Sequence, residues 1–492
     1  MGLETKLTEI AKQRLTEMED RQSAAVGRWK DIIDIVESHY KEKGRSFPLY
    51  QKYNIARCCD NLFDHYLSKR GGVMNEETQS SAISYVAQML PTIPALLPSL
   101  ASDNIAIHQA IDLPQANIYY MNIKADVTKG SVTVGDSLIN ARTGHASGEA
   151  SRLYASDKIV GEVMAAPSQA RTATFSAVAM IPAIAGSFVF TLNTTVSGVT
   201  STETFTDAGD GTAVGSKGST ATNVASTGVI AVDTGSGNTV NAVAGAVSYR
   251  VNIESNTDAI GGLRFEVTSA SVTAETFPLR VDYTAFAQVL MQRAHGIVLN
   301  KAAMDFAVQE IRFAIDERVF GQALTDAQHA DGATSPGTFD CTVGTGQEWI
   351  FRMNEFKRYL SKGSANIFAK TLRCRANVIT GGINVCALIE NLPGFTPASG
   401  IGTKPPAGPH VFGKLGGMMV ICNPFYDADT YLLSFRGDNW LYAGLAYCPY
   451  LPLYQTNPVE LATFDTQQGF LSMAGIASIN KGMFTYGYIS NF

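Results

Sequence analysis

Apolar residues near the start of the chain recur at steps of three and four: Leu3, Leu7, Ile10, Leu15 and Met18, then Val26, Trp29, Ile32, Ile33 and Val36. That spacing puts them on one helical face and predicts helix over 3–43, with a break at Gly27. After Gly71-Gly72 the pattern changes. Residues 78–102 carry no charge and include Pro91, Pro94 and Pro98, which predicts an extended arm, since prolines at that density break helices. "ANIYYMNIKADV" (116–127) alternates and reads as a strand. From about residue 185 the chain turns Thr-, Gly- and Ser-rich. These three types fill 27 of the 50 positions in 191–240, but Phe188, Phe190, Val229, Ile230 and Val232 recur among them and predict short strands of a folded β module.

The clearest helical pattern is 286–324. No Gly or Pro falls between Ile297 and Phe320, and Met304, Val308, Ile311, Ile315 and Val319 form a stripe. Glu310, Arg312, Asp316, Glu317 and Arg318 lie on or beside the other face. A second helix is predicted at 347–362, followed by strands in "GMMVICNP", "TYLLSFR" and "WLYAGLAYCPY". The closing "TFDTQQGFLSMAGIASINKGMFTYGYI" reads as a hairpin. Within this region Gly444–Tyr454, "GLAYCPYLPLY", has no charge and three tyrosines, which predicts a buried strand.

Composition narrows the function classes. A chain of 492 residues with 45% hydrophobic and 17% charged residues is globular and charge-poor. Its net charge of −6 supplies no basic field for non-specific nucleic-acid binding. Seven cysteines without a C-x-x-C pair signal neither a zinc ribbon nor a dithiol centre, and reduced thiols are expected. "MGLETKLTEIAKQRL" lacks the apolar core of a signal peptide, and the uncharged stretches 78–102 and 172–202 carry too many breakers to span a membrane.

Motifs for chemistry fail individually. "GPHVFGKL" (408–415) has the spacing of a phosphate loop, but Leu415 stands where a Ser or Thr would hold magnesium, and a strand follows instead of a helix. "RGD" at 436–438 is explained by a turn, and "DADTYLLSFRGD" lacks the ligands of a calcium loop. The seven histidines are scattered, and no nucleophile elbow occurs. No catalytic residue, cofactor or metal is therefore expected. An unrecognised hydrolase is the alternative from another class, and so long a chain without motifs favours a structural role.

In order and spacing, several strings resemble the major capsid proteins of T-even-like tailed phages, which have the HK97-type fold. "VAQMLPTIPALLPSLASDNIAIHQAIDLPQANIYYMNIKA" is similar to the family's N-arm and first E-loop strand, and "RVDYTAFAQVLMQRAHG" and "AVQEIRFAIDERVF" to its spine helix. "HVFGKLGGMMVICNPFYDADTYLLSFRGDNWLYAGLAYCPYLPLY" and "GFLSMAGIASINKGMFTYGYI" resemble its late strands. The resemblance covers roughly 84–127 and 278–490. It implies an α+β, HK97-like fold: an N-terminal helical region (1–72), an N-arm (73–115), E-loop strands (116–185 and 277–284), an inserted Thr/Gly-rich β domain (186–276), a peripheral domain with the spine helix (285–365 and 446–492) and an axial domain (366–445). The insert matches no string of the family and is expected to face outward.

The function implied is assembly of hexamers and pentamers into an icosahedral head enclosing double-stranded DNA without sequence-specific binding. Its partners would be the chain itself, a scaffold, a portal and vertex or decoration proteins, with no membrane. Its place would be the phage head, assembled in the host cytoplasm. A pentameric vertex protein of the same fold and an encapsulin-like compartment shell remain alternatives. Trp29, Glu310, Arg312, Asp316 and Arg318 are the expected inter-subunit contacts. The N-terminal helix, with nine basic and nine acidic residues between positions 1 and 45, is expected to dock by its apolar stripe and to stay on the mature subunit, although Ile35-Val36-Glu37 has the form of a head-protease site.

Overall fold

The structure is a computed structural model that describes residues 16, 19–42, 47–69, 100–140, 144–146, 148–164, 170–175, 178–223, 225–240, 245–296, 298–331, 337–344, 346, 348–398, 408–437, 443–456, 458–460 and 465–492. The expected N-arm as far as residue 99, and most of the first half of the 3–43 helix, lie outside them. The architecture is α+β. The chain forms two compact units, 1–119 with 269–492, and 120–268.

In the first unit, residues 19–28 are helical and α1 (Lys30–Glu42) follows a turn at Trp29, so the break falls two residues after Gly27. α1 buries Ile33, Val36 and Tyr40, which belong to one core with Ile55, Cys59 and Leu62 of α2 (Leu49–Lys69). The expected long helix is two helices. α3 (Ala285–His295) begins at Thr284, whose hydroxyl accepts from Ala287 N (3.1 Å), and stops at Gly296, whose left-handed φ of 68° returns its N–H to Gln292 and Met291. α4 (Leu299–Asp331) then runs 33 residues, about 50 Å at 1.5 Å per residue. It continues through Gly321, an exposed position with open space around it. Of its stripe, Ile311, Ile315 and Val319 are buried and Met304 and Val308 pack against the same core.

That core's floor is a sheet of order 106–108, 445–455, 465–478, 275–284, with 459–460 also beside 465–478. Strand Leu445–Gln455 is buried on both faces along nearly its whole length. Tyr447 and Leu451 meet the α4 core, and Ala446 and Cys448 meet a second cluster with Ile107, Ile118 and Val272. Burial on both faces is why "GLAYCPYLPLY" is continuously apolar and not alternating.

The closing hairpin is not formed. Asp465–Ser478 pairs with 445–455 and 275–284, whereas Phe484–Ser490 pairs with 430–434 and 338–340 in a different sheet. A helical turn at Lys481–Met483, capped by Asn480, moves the chain between the two. This second sheet has seven strands, in the order 338–340, 484–490, 430–434, 378–381, 418–422, 410–415, 395–397. α5 (Trp349–Thr371) and α6 (Ile383–Glu390) contribute Phe356, Leu360, Val385 and Leu388 to its core. α5 outruns the 347–362 expectation by nine residues at its C-terminal end.

The second unit contains a nine-stranded sheet of order 158–164, 245–250, 189–196, 199–207, 212–215, 220–223, 230–233, 172–175, with 239–240 beside 189–196, while its strands 137–140 and 144–145 pair in a separate sheet. The Thr-rich segment is folded, and 203–207, 212–215 and 220–223 alternate between buried and exposed positions. Phe205, Ala213 and Ala221 point inward while Thr204, Thr206, Thr212, Thr220 and Thr222 point out. Glu203 also points inward, fully buried. It is satisfied there by Thr194 Oγ1 (2.8 Å), Ser219 Oγ (2.9 Å) and Lys217 N (2.9 Å). Strands 158–164 and 172–175 belong to this sheet although they precede the change in composition at about residue 185.

Candidate functional site

The five expected contact residues divide sharply. Asp316 is fully buried on α4, where its carboxylate accepts backbone N–H groups from Ser102 (2.9 Å) and Ala101 (3.2 Å). Burial pushes its carboxyl above the ordinary value, opposed by those two donors and by Arg312 one turn earlier. It is therefore an internal anchor between the spine helix and the 101–102 segment, and not a solvated contact. Pattern reasoning misplaced it because a polar residue one position from the stripe looks solvent-facing until a backbone loop covers it.

Arg318 is also engaged inside the chain. It donates to both oxygens of Glu275 (2.9 and 2.8 Å), and this bond holds Glu275 below the ordinary carboxylate value. Arg312 is half-buried with its guanidinium over Phe313 (5.1 Å). Trp29 joins α1 to α2, its Nε1–H donating to Asp60 (2.8 Å) and its ring meeting Phe63 edge-on. Glu310 is exposed.

Two further acids of α4 repeat the arrangement of Asp316. Asp326 accepts from Ser478 and Gln322, and Asp331 from Lys370, Thr485 Oγ1 (3.1 Å) and Tyr486 N (3.0 Å). Both are buried. One helix thus holds four separate segments, at 101–102, 370, 478 and 485–486, by acids within its length, and spacing alone carries no signal for this because those segments are distant in sequence.

Large apolar side chains lie exposed elsewhere. α3 buries none of its residues and leaves Phe286, Val289 and Leu290 open, with Val298 and Phe306 (71% exposed) following. Trp349, Ile350 and Phe351 are exposed at the start of α5, and Leu263, Phe265 and Val267 along one strand of the second unit. Runs of this kind are candidate interaction surfaces. A pattern at helical spacing predicts an apolar face but not whether the same subunit covers it.

Among the described residues no group of His, Cys, Asp and Glu could hold a metal ion, and no helix is long and apolar enough to cross a membrane. His410–Leu415 of the phosphate-loop-like string is a strand paired with Met418–Cys422. Arg436 of "RGD" follows a strand and is held by Asn377, with its guanidinium 3.5 Å from Asp103.

Comparison with known proteins adds identity to this geometry. The family model described as "Major capsid protein Gp23" matches residues 85–483. The chain is 24% identical over 219 residues to the "Major capsid protein" of Serratia phage KSP90, covering 43% of this chain and 50% of that one. It is 25% identical to the protein of the same description from Salmonella phage ViI, again over 43% and 50%. The chain spans about half the length of the curated relatives it matches. It is also similar to a chain in "Capsid structure of the Cyanophage P-SCSP1u", at 10% identity, 47% and 77% coverage and a TM-score of 0.32. A likeness at that score adds nothing to the family match.

Proposed function

We propose that this chain, which belongs to the major capsid protein Gp23 family, is the repeated subunit of a phage head. It assembles with copies of itself as hexamers and pentamers into a closed shell around double-stranded DNA. Closed symmetry from one chain is the economical way to build such a container. The family match carries the reading, and the apolar side chains of α3, α4 and α5 that are exposed among the described residues support it. The role is structural and no reaction is assigned. The net charge of −6 suits an inner wall that must not hold DNA during packaging.

On this reading the fold is HK97-like. Residues 1–72 form an N-terminal helical region, 73–115 the N-arm, 116–185 with 277–284 the E-loop, 285–365 with 446–492 the peripheral domain and 366–445 the axial domain. The β domain expected at 186–276 faces outward, and it takes in strands 158–164 and 172–175 from the expected E-loop span. Trp29, Glu310, Arg312, Asp316 and Arg318 were the contacts expected from pattern. Of these, Glu310 keeps that role, and the exposed apolar residues of α3 and α5 join it. Scaffold, portal and decoration proteins are the remaining partners. Assembly takes place in the host cytoplasm, and the head of the virion is the final location.

The test is negative-stain microscopy of the full chain, expressed alone and with a scaffold, with copy number counted in purified particles. Closed shells built mainly of this chain support the proposal. A copy number confined to the vertices would make it a vertex protein, and soluble monomers under both conditions would remove the assembly role.

A further inference from the structure

The seven-stranded sheet brings two thiols to one of its faces. Cys422 ends strand Met418–Cys422, and Cys386 lies in the first turn of α6. Side chains alternate along a strand, so Cys422 faces the same way as Val420. Val420 packs with Val385, Leu388 and Ile389 of α6, which places Cys422 on the α6 side of the sheet. Cys386 Sγ lies 3.5 Å from the carbonyl oxygen of Gly381, the parallel partner of Cys422, and 3.9 Å from that of Ile421, the preceding residue. Both are free thiols.

Their surroundings set them apart from the other cysteines. Cys58, Cys59, Cys341, Cys374 and Cys448 are buried, and burial pushes each thiol up. Cys422 is only partly buried, and the neighbouring Cys386 thiol holds its own below the ordinary value. The same pairing, with burial, raises Cys386. A thiolate-prone, accessible sulfur next to a second thiol is the arrangement of a site that oxidises to a disulfide.

We propose that Cys422 is a peroxide-reactive thiol and that Cys386 resolves it into an intrachain disulfide. The Cys422 sulfur attacks one oxygen of hydrogen peroxide, the O–O bond breaks, and Cys422 sulfenic acid and water form. The Cys386 sulfur then attacks the Cys422 sulfur, the S–O bond breaks, and its oxygen leaves as a second water. Two thiols are oxidised and one peroxide is reduced. The bond ties α6 to the sheet and closes the intervening loop, which restricts the unfolded chain. If the chain is a shell subunit, made in a reducing cell and released into an aerobic medium, this locks the sheet after assembly. The chemistry is tested on the free chain and stands or falls apart from that role.

The full chain is treated with hydrogen peroxide, capped with iodoacetamide, digested without reductant and mapped by mass spectrometry. The expected result is a Cys386–Cys422 linked peptide, with the other five cysteines recovered unoxidised. In Cys386→Ser, Cys422 should accumulate as sulfenic acid trapped by dimedone. In Cys422→Ser, peroxide should modify no cysteine of the folded chain. Should either variant fail to fold, the wild-type map decides. Oxidised Cys422 without the linked peptide would overturn the resolving role, and an unmodified Cys422 would overturn the site.

Discussion

Replacing Asp316 by alanine separates an anchor inside the subunit from a contact between subunits. The substitution removes the acceptor of two buried N–H groups, those of Ala101 and Ser102. Leaving each unpaired costs about 1–3 kcal/mol. Relief of the carboxylate's own desolvation offsets part of this, so the expected net loss is about 2–4 kcal/mol. Asp316→Asn keeps one acceptor oxygen and should lose about half as much.

The pH dependence has a definite sign. Burial raises the folded carboxyl above its ordinary 3.8, so its contribution to stability is full below that value and is lost as pH rises through the folded value. The deficit of Asp316→Asn against wild type should therefore be largest near pH 4 and shrink on the way to neutrality. Urea unfolding followed by tryptophan fluorescence reads the right unit, because Trp29 and Trp349 belong to the first and no tryptophan falls within 120–268. An alanine variant that unfolds at the wild-type urea concentration yet fails to assemble would refute this reasoning and return Asp316 to the inter-subunit contacts.

Trp29→Ala should destabilise the folded subunit by about 2 kcal/mol, through loss of the bond to Asp60 and the edge contact with Phe63. Trp29→Phe should recover part of that, and lower particle yield at unchanged subunit stability would instead make the residue a contact. Arg318→Glu should cost at most about 1 kcal/mol, since Arg318 and Glu275 are 43% and 46% exposed and screened, and Glu275→Arg should restore it. That pair's contribution is present above pH 4.5 and is lost as acid protonates Glu275, which a pH series of the double-mutant cycle reads. Replacing 186–276 by a Gly/Ser linker should give an aggregating chain, because strands 158–164 and 172–175 lose partners 245–250 and 230–233. A soluble, shell-forming product would show that those strands need no partners.

Much of the molecule is set by local pattern. The three-and-four spacing of Ile311, Ile315 and Val319, the alternation of 203–207 and the unbroken apolar run of 445–455 each carry their element type and buried face. Gly296 carries the end of α3 as well, because its left-handed φ favours the residue without a Cβ. Other features depend on residues distant in sequence. Whether 465–478 and 484–490 pair with each other depends on competing strands, and here 445–455 takes the first and 430–434 the second. Asp316 is buried because the 101–102 backbone covers it, and the insert widens to 158 because strand 245–250 needs an edge partner. Local sequence determines which face of an element is apolar, through side-chain periodicity. Only the tertiary structure decides what covers that face, because the covering segment lies a hundred or more residues away and is selected by packing and hydrogen-bond satisfaction.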